Sequence, residues 1–195
     1  MPSLILATRN EHKLRELAEI LDGVELLPLP AGVELPPEDA PDFAGNAAIK
    51  AEAASAATGQ PAIGDDSGIE VAALGGRPGV YSARYAGRDA TDGENLEKLL
   101  AELASNRDRS AAYVCAIAFA APQRETSVFQ AECRGHLIEA PRGSGGFGYD
   151  PIFVPEDTGA GDERTMAELS PEEKHALSHR GRAARILAAS LPELL

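Results

Sequence analysis

The sequence predicts an α/β fold with a mixed central sheet, and three observations predict it. Helical patterns alternate with short apolar runs along the chain, and two longer runs are joined by a tight turn. The length of 195 residues, with 44% hydrophobic and 25% charged content, fits one domain over residues 1–195.

The first element is a buried strand over Ser3–Ala7 (SLILA), followed at once by the polar turn Thr8-Arg9-Asn10. A helix then starts with Asn10 as its cap. Leu14, Leu17, Ala18 and Leu21 share one face, and Asp22-Gly23 supplies the stop. From Leu27 to Pro41 five prolines and several carboxylates predict an irregular acidic loop. The Ala-rich stretch Phe43–Thr58 reads as a second helix ended by Gly59. Pro61–Gly64 reads as a strand, Asp65-Asp66-Ser67-Gly68 as a turn, and Ile69–Leu74 as the returning strand. Gly75–Gly87 has no clean period and predicts a structured loop. Asp92–Ser105 predicts a third helix with Asp92 as its cap.

Ala111–Ala121 and Thr126–Leu137 predict a pair of longer antiparallel strands around the turn at 121–124. The stretch PRGSGGFGYDPIFVP is rich in glycine and reads as a loop with special backbone conformations. Ser170-Pro171-Glu172-Glu173 has the form of a capping box and opens the last helix.

Composition excludes several functions. Eighteen basic against thirty-one acidic residues give a formal charge of −13, which opposes a sequence-independent grip on nucleic acid. A small phosphate ester carried with magnesium remains compatible, since a local site can be basic or metal-loaded. The strongest apolar run, Ala111–Ala121, is too short for the roughly 20 residues of a membrane-spanning helix. The first residues do not form a signal peptide, so a cytoplasmic protein is expected. Cys115 and Cys133 lie in strand-like runs and give no support to a disulfide framework or zinc site.

Four constellations carry possible chemistry. The strand–loop–helix unit with Thr8, Asn10 and Lys13 presents helix amides and a cation to a phosphate, although Asn10 can equally be a simple cap and Lys13 a surface residue. Asp65-Asp66 can offer one carboxylate to a hard cation, with Glu38 as a second, or can be an ordinary turn. Gly145–Pro151 can set an aromatic ring against a flat ligand, with Asp150 accepting from a base edge; its aromatics can also be core. Lys174, His179, Arg180 and Arg182 form a basic set. Lys174 and Arg180 are six positions apart, so they converge only if the helix breaks near Ser178–Gly181.

Taken together, Thr8-x-Asn10-x-x-Lys13, DDSG followed by LGGRPGVYSARYAG, GGFGYDPIF, and AELSPEEKHALSHRG closely resemble the inosine/xanthosine triphosphate pyrophosphatases. These hydrolases clear non-standard purine triphosphates (ITP, dITP, XTP) from the nucleotide pool, giving the monophosphate and pyrophosphate. The resemblance runs from residue 4 to about residue 190 in unbroken order.

It implies an elongated two-lobe α/β fold around a cleft, a homodimer, and Mg2+ as cofactor. It also implies that Thr8, Arg9, Asn10, Glu11, His12 and Lys13 hold the phosphates and that Asp66 is proton acceptor and magnesium ligand. Glu38 would be the second magnesium-associated carboxylate and Ser67 a substrate contact. Phe147, Gly148, Tyr149, Asp150, Lys174, His179 and Arg180 would complete the nucleotide site. The chain departs from the family at Phe43-Ala44-Gly45-Asn46-Ala47, where the usual Phe-x-Glu-Asn-Ala has Glu in place of Gly45.

Hydrogen-bond polarity adds a base preference. An Asp150 carboxylate that only accepts and an Arg180 guanidinium that only donates would match N1–H and O6 of hypoxanthine or xanthine and oppose adenine.

Overall fold

The computed structural model describes residues 2–159 and 161–195. Six strands form one sheet in the order β2-β1-β3-β4-β5-β6. They are β1 (Ser3–Leu6), β2 (Glu25–Pro28), β3 (Ala62–Val71), β4 (Ser110–Ala120), β5 (Ser127–Leu137) and β6 (Phe153–Pro155). The helices are α1 (Glu11–Ile20), α2 (Phe43–Thr58), α3 (Asp92–Glu102), α4 (Pro171–Leu177) and α5 (His179–Leu194). β1 pairs in parallel with both β2 and β3, whereas β5 and β6 are antiparallel. The sheet is mixed, and the fold class is α/β as the alternation of patterns predicts.

The chain packs as two compact units. One comprises Met1–Asp66, Cys115–Ala131 and Arg180–Leu195; the other comprises Ser67–Val114 and Glu132–His179.

In the first unit, β1 explains why the run from Leu4 to Ala7 carries no polar residue. Leu4 and Leu6 pack with Leu17 of α1, Leu21 just after it, and Leu187 of α5, while Ile5 and Ala7 pack with Ala54 of α2 and with Leu29. A parallel strand covered on both faces needs apolar residues at every position. α2 lies hard against β3 at Gly64. A Cβ there would sit 2.5 Å from the carbonyl oxygen of Ala47 and 2.8 Å from the amide nitrogen of Ala51. Any larger residue would push the helix away.

In the second unit, the core gathers Ile69, Leu96, Leu99, Tyr113, Leu137 and Phe153. The 3-10 segment Gly79–Arg84 gives structure to the predicted loop over 75–87. Ser82 anchors it by accepting from the Ile69 amide at 2.9 Å.

The structure corrects several sequence expectations. Asp65-Asp66-Ser67-Gly68 is not a turn; β3 runs straight through it to Val71, so Ile69–Val71 are strand but do not return, and a short 3-10 helix takes Ala72–Leu74. Turn propensity reflects side chains bonding to their own backbone, and here both carboxylates bond to distant side chains instead. β2 and β6 lie partly or wholly inside stretches read as loops, because each is three or four residues long and its apolar character is masked by proline. Thr91, not Asp92, caps α3, with Glu94 completing the box, and α3 ends at Glu102. The last helix breaks at Ser178, whose extended ψ of 150° separates α4 from α5.

Candidate active site

Asp65 and Asp66 stand side by side on β3 in the first unit, and the alternation of a strand sends them to different partners. Lys13 Nζ lies 3.1 Å from Asp65 Oδ1, and Arg180 Nε donates to Asp65 Oδ2 at 3.3 Å. Arg180 also pairs with Glu16. Asp66 Oδ2 accepts from Asn46 Nδ2 at 2.9 Å, with Lys50 Nζ 3.8 Å from its Oδ1. The same ammonium donates to Glu38 at 2.6 Å.

These surroundings push the two carboxylates in opposite directions. Burial opposes ionisation of Asp65, yet Lys13, Arg180 and Lys50 outweigh it and hold its pKa well below the ordinary value. Asp66 goes the other way: burial raises its pKa, with Lys50 and Asn46 offsetting only part. Burial works against the Lys50 charge too, but Asp65, Asp66 and Glu38 prevail and its pKa is raised. One member of the pair is thus a fixed anion, and its neighbour holds a proton more readily.

Asn46 and Lys50 are four positions apart and share a face of α2. Asn46 accepts from the Ala40 amide at 3.0 Å while donating to Asp66. It therefore stitches the loop bearing Glu38 to the helix. Gly45 belongs to this junction: a Cβ there would meet Ala40 Cβ at 2.7 Å. The loop packs where any side chain at position 45 would begin.

The phosphate-loop residues divide. Asn10 is the cap of α1, accepting from the His12 and Lys13 amides at 2.9 and 3.3 Å. Thr8 Oγ1 accepts from the Asn10 amide. Two amides expected to face a phosphate are therefore taken by the cap. Lys13, by contrast, is no surface lysine but the partner of a fully buried carboxylate. Arg9 donates to the Val33 carbonyl at 2.8 Å, His12 Nδ1 meets Arg15, and Glu11 is an acidic first-turn residue of α1.

The second unit holds the other cluster. Asp150 Oδ2 accepts from the Phe147 amide and from Lys174 Nζ, each at 2.9 Å, and Tyr113 also hydrogen-bonds this carboxylate. Lys174 lies 5.1 Å from the Phe147 ring centroid. His179 stacks on Tyr113 with ring centroids 4.7 Å apart and planes 7° from parallel. Tyr149 donates to the Ser82 carbonyl at 2.8 Å. Ser67 is a half-buried residue of β3.

Two expectations about the base meet a different geometry. Arg180 is 2% exposed and Asp150 4% exposed. The guanidinium is engaged by Asp65 and Glu16, and the carboxylate by three donors of its own unit. To read O6 or N1–H, each would use the hydrogen-bonding positions these partners leave, since a guanidinium has five donors and a carboxylate about four acceptor positions. Lys174 and Arg180 each have a carboxylate of their own, Asp150 and Asp65.

Sequence reasoning left Asn46 and Lys50 without roles and did not single out Glu16 or Tyr113. Asn46 and Lys50 had a signal, two polar residues one turn apart in an alanine-rich helix. Glu16 and Tyr113 had none.

Glu38 and Asp66 both approach one cation, the Lys50 ammonium, so they are arranged about a positive centre. Their oxygen donors are of the hard kind that suits a divalent cation such as magnesium, for which one or two carboxylates suffice beside water and phosphate. Among the described residues no larger group of His, Cys, Asp and Glu side chains assembles for a metal.

The fold and this constellation define a class: an α/β protein whose buried charges sit on an inner strand and are matched by cations from α1, α2 and α5. The chain belongs to the Ham1 family, whose model matches residues 4–190. It is 50% identical over 194 residues to a dITP/XTP pyrophosphatase of Geobacillus kaustophilus, covering 94% of this chain and 91% of that protein. To a dITP/XTP pyrophosphatase of Gloeobacter violaceus it is 51% identical over 191 residues, covering 96% and 93%. A solved HAM1 protein from Coxiella burnetii superimposes with a TM-score of 0.89 at 42% identity, covering 99% of this chain and 100% of that one.

Proposed function

We propose that this protein is a magnesium-dependent nucleoside triphosphate pyrophosphatase that clears ITP, dITP and XTP, with residues 1–195 acting as one catalytic domain. The observation that carries the reading is the adjacent carboxylate pair Asp65-Asp66, with Lys13 against the first and Lys50 and Asn46 against the second. The two dITP/XTP pyrophosphatases that this chain resembles along nearly its whole length support the same chemistry and substrate class.

Hydrolysis at the α–β phosphoanhydride adds a water oxygen to phosphorus, breaks the bond to the bridging oxygen, and releases pyrophosphate and the monophosphate. Asp66 takes the proton that the water loses, held for the task by Asn46 with Lys50 beside it. Lys13 neutralises phosphate oxygens as they gain charge, and Asp65, permanently ionised, keeps that ammonium in place. Lys50 holds Glu38 and Asp66 together, and Asn46 orients Asp66. Magnesium held by Asp66 and Glu38 would supply further charge neutralisation and orient the phosphates. The loop Phe147–Asp150, with Lys174 and His179, takes the purine, and Ser67 contacts the substrate.

No helix among the described residues is long and apolar enough to cross a membrane, and the enzyme works in the cytoplasm as a homodimer. Tyr81, 59% exposed on the segment Gly79–Arg84, is apolar surface for the second copy to cover. Light scattering at micromolar concentration should give a dimer mass; a monomer overturns that part.

The activity test is a panel of ITP, dITP, XTP, GTP, ATP and UTP with magnesium. Pyrophosphate and monophosphate should appear fastest from ITP, dITP and XTP. Release of single phosphate, or no product at all, would overturn the reading.

A further inference from the structure

We infer that Asp92 is a positioning residue for the base loop, acting through the backbone of Gly148. Asp92 is the first residue of α3, but its carboxylate does not cap that helix, because Thr91 and Glu94 form the capping box. Its Oδ2 instead accepts from the amide of Gly148, 56 residues further on, at 2.8 Å.

That amide lies beside the part of the loop that closes on Asp150. Gly146 and Gly148 both have positive φ, 71° and 62°, on either side of Phe147. Phe147 donates its own amide to Asp150, and a Cβ on Gly146 would fall 2.0 Å from the same Asp150 oxygen. The backbone over 146–150 thus wraps closely around one carboxylate, which also carries Lys174.

Inside the wrap the loop has its own hydrogen bonds; outside it, α3 supplies the Asp92 carboxylate and the Gly79–Arg84 segment supplies the Ser82 carbonyl to Tyr149. A hydrogen bond to an ionised acceptor is roughly twice as strong as a neutral one. Asp92 therefore fixes the orientation of the Gly148 peptide, and with it the Phe147 ring. The inference rests on Phe147–Asp150 taking the base.

The test compares wild type, Asp92→Ala, Asp92→Asn and Asp150→Ala. The measurements are kcat and KM for ITP, together with inhibition by inorganic pyrophosphate, which has no base. Asp92→Ala should raise KM for ITP about tenfold with kcat nearly unchanged and pyrophosphate inhibition unaltered. Asp92→Asn should restore most of the lost affinity, since the amide oxygen accepts from the same N–H without the charge.

An unchanged KM in Asp92→Ala overturns the inference. So does an Asn variant as impaired as the Ala variant, or an equal loss of pyrophosphate inhibition, which would signal general damage. Asp150→Ala separates the two levels. If it raises KM for ITP while Asp92→Ala does not, only the role of Asp92 falls. If Asp150→Ala leaves KM unchanged, the base-loop reading itself is wrong.

Discussion

The two charged clusters are built on opposite principles. In the first unit, Asp65, Asp66, Lys13, Lys50 and Arg180 project from strand β3 and from helices, and their positions follow from packing of whole elements, as at Gly64. In the second, Asp150 is held by a loop whose shape depends on Gly146 and Gly148 and on backbone amides. Rigid elements bring several buried charges together with exact partners but make each of them costly to remove. A glycine loop sets fewer charges and is sensitive to the addition of a single carbon. Changes in the first cluster should therefore strike stability and turnover, and changes in the second should strike affinity.

The largest effect tests the first half of that contrast. Asp65→Asn leaves Lys13 and Arg180 buried beside a neutral group, and breaking a buried pair in this way costs about 3–5 kcal/mol. Urea unfolding measures the loss. Because the folded pKa of Asp65 lies below its unfolded value of 3.8, its contribution is present above that value and is lost as pH falls toward the folded pKa. Wild type should lose stability in that acid range, and Asp65→Asn should lose less. Arg180→Ala should behave alike, destabilising the protein while ITP stays preferred over ATP. A stable variant with collapsed selectivity would return Arg180 to the base.

Asp66→Asn comes next, with a fall in turnover of at least ~100-fold. Its stability should move in the opposite direction to that of Asp65→Asn. A carboxyl whose folded pKa is raised stabilises at low pH and loses that contribution as pH rises through the folded pKa, so at neutral pH the charged form is a burden. The variant should melt at or above the wild-type temperature at pH 7. A melting point several degrees lower would remove the distinction between the two neighbours.

In the second cluster, Gly146→Ala adds a Cβ 2.0 Å from Asp150 Oδ2 at a φ of 71°. Backbone strain of this kind costs about 1–3 kcal/mol, and it should appear as a raised KM for ITP with turnover within a few fold. A change confined to turnover would contradict the division of labour. Tyr149→Phe should have the smallest effect, removing one hydrogen bond to Ser82 worth about 1 kcal/mol. Thermal melting and KM together would detect it.

Local signals in the sequence determined much of the fold. The Asn10 cap, the Phe43–Thr58 helix with Gly59 behind it, and the Ser170–Glu173 capping box all stand where the sequence puts them. Each is decided by neighbours within one or two turns. The charged residues were legible as candidates for the same reason: Lys13, Asp66, Asp150 and Lys174 are polar groups in patterned surroundings.

Only the tertiary structure decided which partner each charge takes. Arg180 and Asp65 are 115 residues apart, and no local rule joins them. Asp65-Asp66-Ser67-Gly68 lies in an inner strand of the sheet, although all four residue types favour turns. The two carboxylates are identical in sequence terms, and they acquire opposite proton affinities from the helices that flank them. Electrostatic interaction depends on distance in space and on burial, and the order of residues along a chain specifies neither until the chain has folded.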